Sequence, residues 1–170
     1  IENLLQATRL QHGEIRLTHA VQDIRPVISK TLSRFASQER LLVNDNLQHA
    51  MVEVQSSLLE QALFNVIDNA MRFSGETAPV TLSLSETDKF IVIDIKDEGP
   101  GIETSKRSLV FNVFYSSREK DSGTGGTGLG LSVAKGIIDI HNGHIGIEES
   151  PDGCLVRIKL PRANITEEVS

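Results

Sequence analysis

The sequence predicts an α/β protein, a two-layer sandwich in which a mixed β-sheet packs against three helices. Three observations favour this fold. The segment Ser56–Phe73 repeats apolar residues every three or four positions, as an amphipathic helix does. The segments 80–84 and 90–95 alternate apolar and polar residues, as half-buried strands do. A second helical pattern covers 129–141, so helices and strands interleave along the chain.

The composition is that of an ordinary globular domain, with 170 residues of which 39% are hydrophobic and 24% charged. The net charge of −6 argues against a general nucleic-acid binder. A single cysteine, Cys154, forms no internal disulfide and fits a reducing compartment. The sequence has no apolar run of the roughly 20 residues that span a bilayer. Because it begins with isoleucine, we expect it to be a fragment of a larger protein.

Short elements precede the first long helix. Residues 1–13 are typical of the end of a helix entering from upstream, and residues 15–19 alternate weakly, as a short edge strand would. Asp23 is a plausible N-cap of a helix that we expect to reach Gln38. Its apolar face comprises Val27, Ile28, Leu32 and Phe35. Two strand-like runs, 41–43 and 51–54, follow, separated by the turn residues 44–46.

We expect Ser56 to cap the long helix that follows it. This helix carries two stripes of residues. The first is apolar and predicts a core face: Leu59, Leu63, Val66, Ala70 and Phe73. The second is polar: Gln61, Asn65, Asn69 and Arg72. A solvated polar face is one interpretation of the second stripe. Asparagine is a mediocre helix former, however, so a pair of them favours a ligand or metal site.

The remaining elements follow in order. Residues 80–84 and 90–95 form a hairpin, and Asp97 falls at the end of its second strand. The second helix closes at Asn142–Gly143, and a turn at 151–153 precedes the last strand, which ends before Pro161. We expect 14–162 to be one domain and 163–170 a frayed tail.

Glycine is concentrated in two clusters, with seven of the 13 glycines between Gly99 and Gly130. The second cluster runs into the helix at 129–141, and a glycine-rich loop before a helix offers unpaired N–H groups to phosphate. The polar segment between the clusters is typical of a mobile lid, so we expect 103–125 to close over a ligand. A loop without any ligand is the alternative for one such cluster alone.

Four motifs stand in order along the chain. They are Asn65-Val-Ile-Asp-Asn69 with Arg72-Phe73, Asp97-Glu-Gly-Pro-Gly101, Phe111-Asn-Val-Phe114, and Gly126-Thr-Gly-Leu-Gly-Leu131. This order resembles the N, G1, F and G2 boxes in the ATP-binding catalytic domain of sensor histidine kinases. The resemblance implies the Bergerat form of the two-layer sandwich, with a flexible ATP lid. The first glycine motif, together with Glu149-Ser-Pro-Asp-Gly153, resembles the potassium-responsive branch of these kinases.

The resemblance also implies roles for individual residues. Asn69 would bind Mg²⁺ with support from Asn65, Arg72 would meet the phosphates, and Asp97 would accept the exocyclic amino group of adenine. Phe111 and Phe114 would anchor the lid, although an ordinary core role is equally open for them. The implied residues of the ATP site are Asn65, Asn69, Arg72, Phe73, Asp97, Gly99, Gly101, Ile102, Phe114, Gly126, Thr127, Gly128, Leu129, Gly130 and Leu131. Cys154 stands where the family often has threonine or another small residue.

The resemblance implies a kinase that transfers the γ-phosphoryl group of ATP to a histidine outside this chain. None of the five histidines has the acceptor motif, and for His141, at a helix end, we expect a structural role. The implied partners are a dimerisation domain of the same parent protein and a response regulator. We expect no nucleic-acid partner. We expect a cytoplasmic domain of a homodimeric parent protein, for which a membrane anchor is an open alternative.

Two other functions are open at this point. Related clamp ATPases, as in gyrase, the Hsp90 chaperone and mismatch-repair proteins, have a glutamate where this chain has Asn65. An asparagine cannot act as a general base, so Asn65 disfavours hydrolysis. A degenerate module that only senses nucleotide is the second alternative, and the four intact motifs weigh against it.

Overall fold

A computed structural model describes Arg9, 18–113, Tyr115 and 129–164 of the chain. Its helices are α1 (Arg25–Leu32), α2 (Ser56–Phe73) and α3 (Gly130–Ile140). Its strands are β1 (Ala20–Asp23), β2 (Leu41–Asp45), β3 (Met51–Val54), β4 (Val80–Glu86), β5 (Phe90–Asp97), β6 (His144–Glu148) and β7 (Cys154–Pro161). Single 3-10 turns lie at Gln38–Arg40, Thr104–Lys106 and Leu109–Phe111.

The main sheet has five strands in the order β2-β4-β5-β7-β6. β2 pairs with β4 in parallel, whereas the other neighbours are antiparallel, so the sheet is mixed as predicted. The β4–β5 hairpin is also confirmed. A second sheet, in which β1 pairs with β3, was not predicted, because the pairing joins strands about thirty residues apart.

One face of the main sheet and the helices share a single core. In the central strand β5, Ile91, Ile93 and Ile95 are fully buried and belong to the core shared with the helices, while Val92 on the other face is also buried. Four members of the predicted apolar stripe of α2 are buried, whereas Phe73 at the helix end is half-buried. The two-layer α/β architecture is therefore confirmed, and α2 and α3 lie side by side on the sheet.

Some local predictions near the start of the chain are wrong. Helix α1 ends at Leu32 rather than Gln38, because the chain continues in turns that still pack Phe35 onto the core. Thr18 and His19 are not in a strand, which starts at Ala20. The expected turn residues Asn44 and Asp45 belong to β2 instead.

The predicted cap of α2 is also wrong. Ser56 is the first helical residue, after the N-cap position at Gln55, and its hydroxyl donates to Gln22 Oε1 over 2.8 Å. The predicted N-cap of α1 is wrong as well, because Ile24 holds that position; Asp23, one residue earlier, accepts the N–H of Arg25 through Oδ1 at 2.9 Å.

Several expectations lie outside the described residues. They concern the upstream helix end apart from Arg9, residues 116–125 of the lid, Phe114, and the last six residues of the tail. Within the described ranges, no helix is both long enough and apolar enough to cross a bilayer.

A buried imidazole joins the start of α2 to the end of α3. His141 is 3% exposed. Its Nε2 accepts the N–H of Gln55 at 3.1 Å, and its Nδ1 lies 2.7 Å from the carbonyl oxygen of Ile137. Both ring nitrogens are thus used by the neutral tautomer with the proton on Nδ1. The His19 ring stacks on His141 with centroids 5.2 Å apart. This geometry supports the structural role expected for His141.

Acidification is expected to destabilise the fold through His141. Burial lowers the pKa of His141 below its ordinary value of 6.5, although its hydrogen bond to Ile137 opposes the shift. Below about pH 6.5 the unfolded chain therefore binds more protons than the folded chain, so the free energy of unfolding falls as the pH falls.

Urea unfolding of the wild type and of His141→Leu at about pH 7.5 and about pH 5.5 checks this expectation. The variant should be less stable at the higher pH, because two hydrogen bonds are lost, but should lose less stability between the two values. An equal loss in both proteins would contradict a contribution from His141.

Candidate functional site

A buried carboxylate lies where β5 ends. Asp97 is 4% exposed, and its Oδ1 accepts two backbone N–H groups, from Gly99 at 2.8 Å and from Cys154 at 3.2 Å. No described residue donates to its Oδ2. One oxygen is therefore fixed by the fold, while the other is available as an acceptor for a ligand. The group of Asp97, Gly99, Gly153 and Cys154 is called the carboxylate end below.

The electrostatics of the carboxylate end follow from burial. Burial raises the pKa of Asp97 above its usual value, and the hydrogen bonds from Gly99 and Cys154 oppose this rise. Burial also raises the pKa of the Cys154 thiol to about 12, with a further contribution from the nearby Asp97. The thiol is therefore protonated at neutral pH and is not a nucleophile.

Backbone segments approach one another closely at the carboxylate end. Gly153 has a φ of +64°, and a Cβ added there would overlap the carbonyl oxygen of Asp97. A Cβ on Gly99 would lie 2.6 Å from the carbonyl oxygen of Phe73, so this segment also touches the end of α2. A Cβ on Gly101 would lie 2.8 Å from the carbonyl oxygen of Gly153. The β6–β7 turn is thus part of the wall around Asp97.

The prediction from sequence missed Gly153 and the backbone N–H of Cys154 as parts of the site. The turn at 151–153 was recognised, but nothing in its composition indicated that it lies beside Asp97. The strand register brings the two together, because Cys154 on β7 pairs directly with Asp97 on β5.

A second polar group lies on α2, eight residues before Phe73. Asn65 is 7% exposed, its Oδ1 accepts a hydrogen bond from Gln61 Nε2 at 3.0 Å, and its Nδ2 has no partner among the described residues. A Cβ added to Gly130, the first residue of α3, would meet Asn65 Cβ at 3.8 Å. Asn65 and Gly130 are called the amide end below.

The start of α3 offers hydrogen-bond donors at the amide end. Leu129, at the N-cap position, makes no side-chain capping bond, and the first turn contains no acidic residue. The first N–H groups of a helix carry partial positive charge and suit an anion. Leu129 just before the helix is buried, while Leu131 packs partly buried against the core.

The other members of the polar stripe are less buried. Asn69 is half-buried, and its carboxamide has no hydrogen-bond partner among the described residues. Arg72 is exposed, and its guanidinium donates to Asp68 one turn earlier. Gln61 is half-buried and bonds to Asn65.

The remaining predicted site residues are divided by the limits of the described chain. Ile102 packs partly buried against the core, and its carbonyl oxygen accepts from Arg107 Nε at 3.2 Å. Phe114, Gly126, Thr127 and Gly128 lie outside the described residues.

The donor set fits a magnesium ion that is held mainly by other ligands. Across the described ranges, no group of three or more His, Cys, Asp or Glu side chains could enclose a metal. The unbonded amide oxygen of Asn69 could supply one oxygen ligand. Mg²⁺ prefers oxygen ligands and commonly takes most of them from water and substrate phosphates.

Comparison with known proteins gives a consistent result. Residues 54–164 match the family described as histidine kinase-, DNA gyrase B-, and HSP90-like ATPase. The sensor protein KdpD of Clostridium acetobutylicum is 29% identical over 167 residues, which cover 95% of this chain and 19% of that protein. The chain spans about a fifth of the length of the KdpD proteins that it matches.

Two solved structures are similar along most of the chain. The Acinetobacter baumannii histidine kinase AdeS superposes with a TM-score of 0.76 at 28% identity, covering 96% of this chain and 77% of that one. The mycobacterial sensor histidine kinase MprB superposes with a TM-score of 0.73 at 30% identity, covering 86% of this chain and 100% of that one.

Proposed function

Because the chain belongs to the histidine kinase-, DNA gyrase B- and HSP90-like ATPase family and is the ATP-binding catalytic domain of a histidine kinase, we propose that it binds Mg-ATP and transfers the γ-phosphoryl group to a separate histidine. The accepting histidine lies on a dimerisation domain of the parent protein. From there the phosphoryl group passes to an aspartate of a response regulator.

One observation carries this proposal. The carboxylate end, with its hydrogen-bond acceptor, and the amide end, with its donors, are separated along α2 by a distance that a nucleotide can span. Gly99, at the carboxylate end, contacts the carbonyl of Phe73, and Asn65 lies at the amide end beside Gly130. Eight helical residues separate Phe73 from Asn65, a rise of about 12 Å. Adenine fits the carboxylate end, where Asp97 Oδ2 accepts its amino group, and the phosphates fit the amide end.

The phosphate side of the site needs charge neutralisation as well as positioning. Asn69 would hold Mg²⁺ through its amide oxygen, and the ion, when bound, neutralises phosphate charge. Arg72 would exchange Asp68 for a phosphate, since both partners are anionic and Arg72 is exposed. Gly126, Thr127 and Gly128 would add backbone amides from the loop before α3.

The wider context is also part of the proposal. The parent protein would be a homodimer of the potassium-responsive branch with this domain in the cytoplasm, an arrangement that is compatible with a membrane anchor in the parent. Similarity to KdpD proteins supports the assignment to this branch. Those relatives are about five times as long as the matched segment, so a parent of similar length could also contain a sensor and a dimerisation domain.

A hydrolytic function is disfavoured by Asn65. A clamp ATPase uses a carboxylate at this place to activate water, whereas an amide has no basic group. Moreover, the oxygen of Asn65 already accepts the hydrogen bond of Gln61.

Phosphoryl transfer in trans tests the proposal. The chain alone, incubated with radiolabelled Mg-ATP, is expected to bind nucleotide without labelling its own histidines, because no acceptor is held in line with the γ-phosphorus. Adding the dimerisation domain of the parent protein as a separate chain should produce acid-labile phosphate on that domain. Acid-labile label on a histidine of this chain alone would contradict the division of labour.

The Asn69→Ala variant tests the proposed metal ligand in a separate experiment. It should remain folded, because Asn69 is half-buried and has no hydrogen bond to any described residue, yet its ATP affinity should no longer respond to Mg²⁺. Calorimetric titration with and without EDTA measures this response. If the variant responds to Mg²⁺ as the wild type does, Asn69 is not a metal ligand.

A further inference from the structure

The carboxamide of Asn65 is held in one orientation by a neighbour on the same helix. Gln61 lies one turn earlier and donates from Nε2 to Asn65 Oδ1 at 3.0 Å. The remaining polar atom of Asn65, Nδ2, is buried and has no partner among the described residues. Buried amide donors in folded proteins nearly always have an acceptor, so such an unpaired donor indicates a partner that binds there.

The unpaired atom identifies the chemistry of that partner. Nδ2 can only donate, so its partner is an acceptor and not a metal ion. The surrounding groups agree, because the Asn65 side chain lies against Gly130, where α3 begins with no capping bond from Leu129 and no acidic residue in its first turn. Side-chain amide and helix N–H groups together form a set of donors, which favours an anionic oxygen.

We propose that Gln61 is a positioning residue that turns the Asn65 amide nitrogen toward the bound nucleotide, so that Asn65 donates to a phosphate oxygen instead of binding the metal ion. The inference rests on the proposed nucleotide site and adds to it a division of labour within the polar stripe. Asn69, whose carboxamide is unrestrained by any described residue, serves the metal. Asn65, whose oxygen is already used, serves the phosphates.

Reversing the donor of Gln61 is the sharpest test. A glutamate at this position only accepts, so in Gln61→Glu the Asn65 amide must turn its Nδ2 toward residue 61 and its oxygen toward the phosphates. We expect the affinity for ADP, measured by calorimetry in EDTA, to fall about tenfold or more, which is 1.4 kcal/mol at 25 °C. Adenosine, which has no phosphate, should bind the variant as it binds the wild type.

Gln61→Met separates orientation from packing. Methionine has a similar length but no hydrogen bond, so the Asn65 amide is free to turn. ADP affinity should then fall by a smaller factor, about two- to threefold, since the productive orientation is only one of two. A merely structural role of Gln61 would lower adenosine and ADP binding together.

A double-mutant cycle excludes simple charge repulsion by the new glutamate. On an Asn65→Ala background, Gln61→Glu should cost no further ADP affinity, because there is no amide left to turn. An equal loss on both backgrounds would overturn the inference, as would unchanged ADP affinity in Gln61→Glu. A loss seen only when Mg²⁺ is present would overturn it too, because Asn65 would then act on the metal.

The proposed function fails in a different way. If the wild type bound neither adenosine nor ADP, both the nucleotide site and this inference would be wrong. Normal binding by the wild type, with no effect of either Gln61 variant, would remove the inference alone.

Discussion

Replacing Gly153 by alanine is expected to lower the free energy of unfolding by about 3–5 kcal/mol. The new methyl group would overlap the carbonyl oxygen of Asp97, and φ at this position is +64°, in the left-handed region. Relief requires the β6–β7 turn to move away from β5, which would also lengthen the hydrogen bond from the Cys154 N–H to Asp97. Urea unfolding measures the loss of stability, and ADP titration measures damage to the site.

Two other glycines separate the causes of this effect. Gly75 has a φ of +80° with open space around it, so Gly75→Ala should cost about 1–2 kcal/mol from the backbone conformation alone. Gly146 has open space and no positive φ, so Gly146→Ala should change stability by at most about 0.5 kcal/mol. If Gly153→Ala lowered the free energy of unfolding no more than Gly75→Ala does, the close approach of Gly153 to Asp97 would not contribute to the loss of stability.

The Asp97→Asn substitution is expected to remove adenine selectivity while leaving the fold intact. Asparagine keeps an oxygen that can accept from Gly99 and Cys154, so the local backbone loses no partner. Its amide nitrogen replaces Oδ2, so an N–H donor would then face the exocyclic amino group of adenine, which is itself a donor. The free energy of Mg-ATP binding should weaken by about 1–3 kcal/mol, so the affinity should fall by about five- to 150-fold.

Titration of wild type and variant with ATP and GTP checks this expectation, and urea unfolding shows whether the variant is folded. The matched comparison is Asp97→Ala, which also leaves two backbone N–H groups without their acceptor and should therefore be less stable as well. Equal affinity of the wild-type chain for ATP and GTP would refute the role of Asp97 in selecting the base.

The central elements could be predicted because their local patterns agree with their burial. Helix α2 has the predicted bounds, and β4 and β5 begin at the predicted residues. The end of α1 was misplaced because Phe35 keeps the apolar spacing after the helix has stopped. A turn puts Phe35 onto Phe64, with ring centroids 4.8 Å apart, so an apolar residue in step need not be helical.

The candidate site could be predicted only where its chemistry is local to one segment. Asn65, Asn69 and the glycines before α3 stand out in the sequence because asparagine pairs and glycine clusters are unusual in a helix or at its start. The orientation of Asn65 depends on Gln61, which the sequence places on the same stripe without indicating the hydrogen bond. The contacts of Gly153 with Asp97 depend on strand register and have no local signal.

The pairing of Asp97 with Cys154 also sets the order in which a growing chain can become functional. These two residues are 57 positions apart, and β7 lies between β5 and β6 in the sheet. Until β7 has been synthesised, β5 lacks one neighbour and the Asp97 carboxylate lacks one of its two amide donors. Contacts of such high sequence separation form slowly. The proposed base recognition would therefore be a late event in biogenesis, because a nascent chain that stops before β7 has a glycine-rich loop and a polar helix but lacks the Cys154 N–H that fixes Asp97.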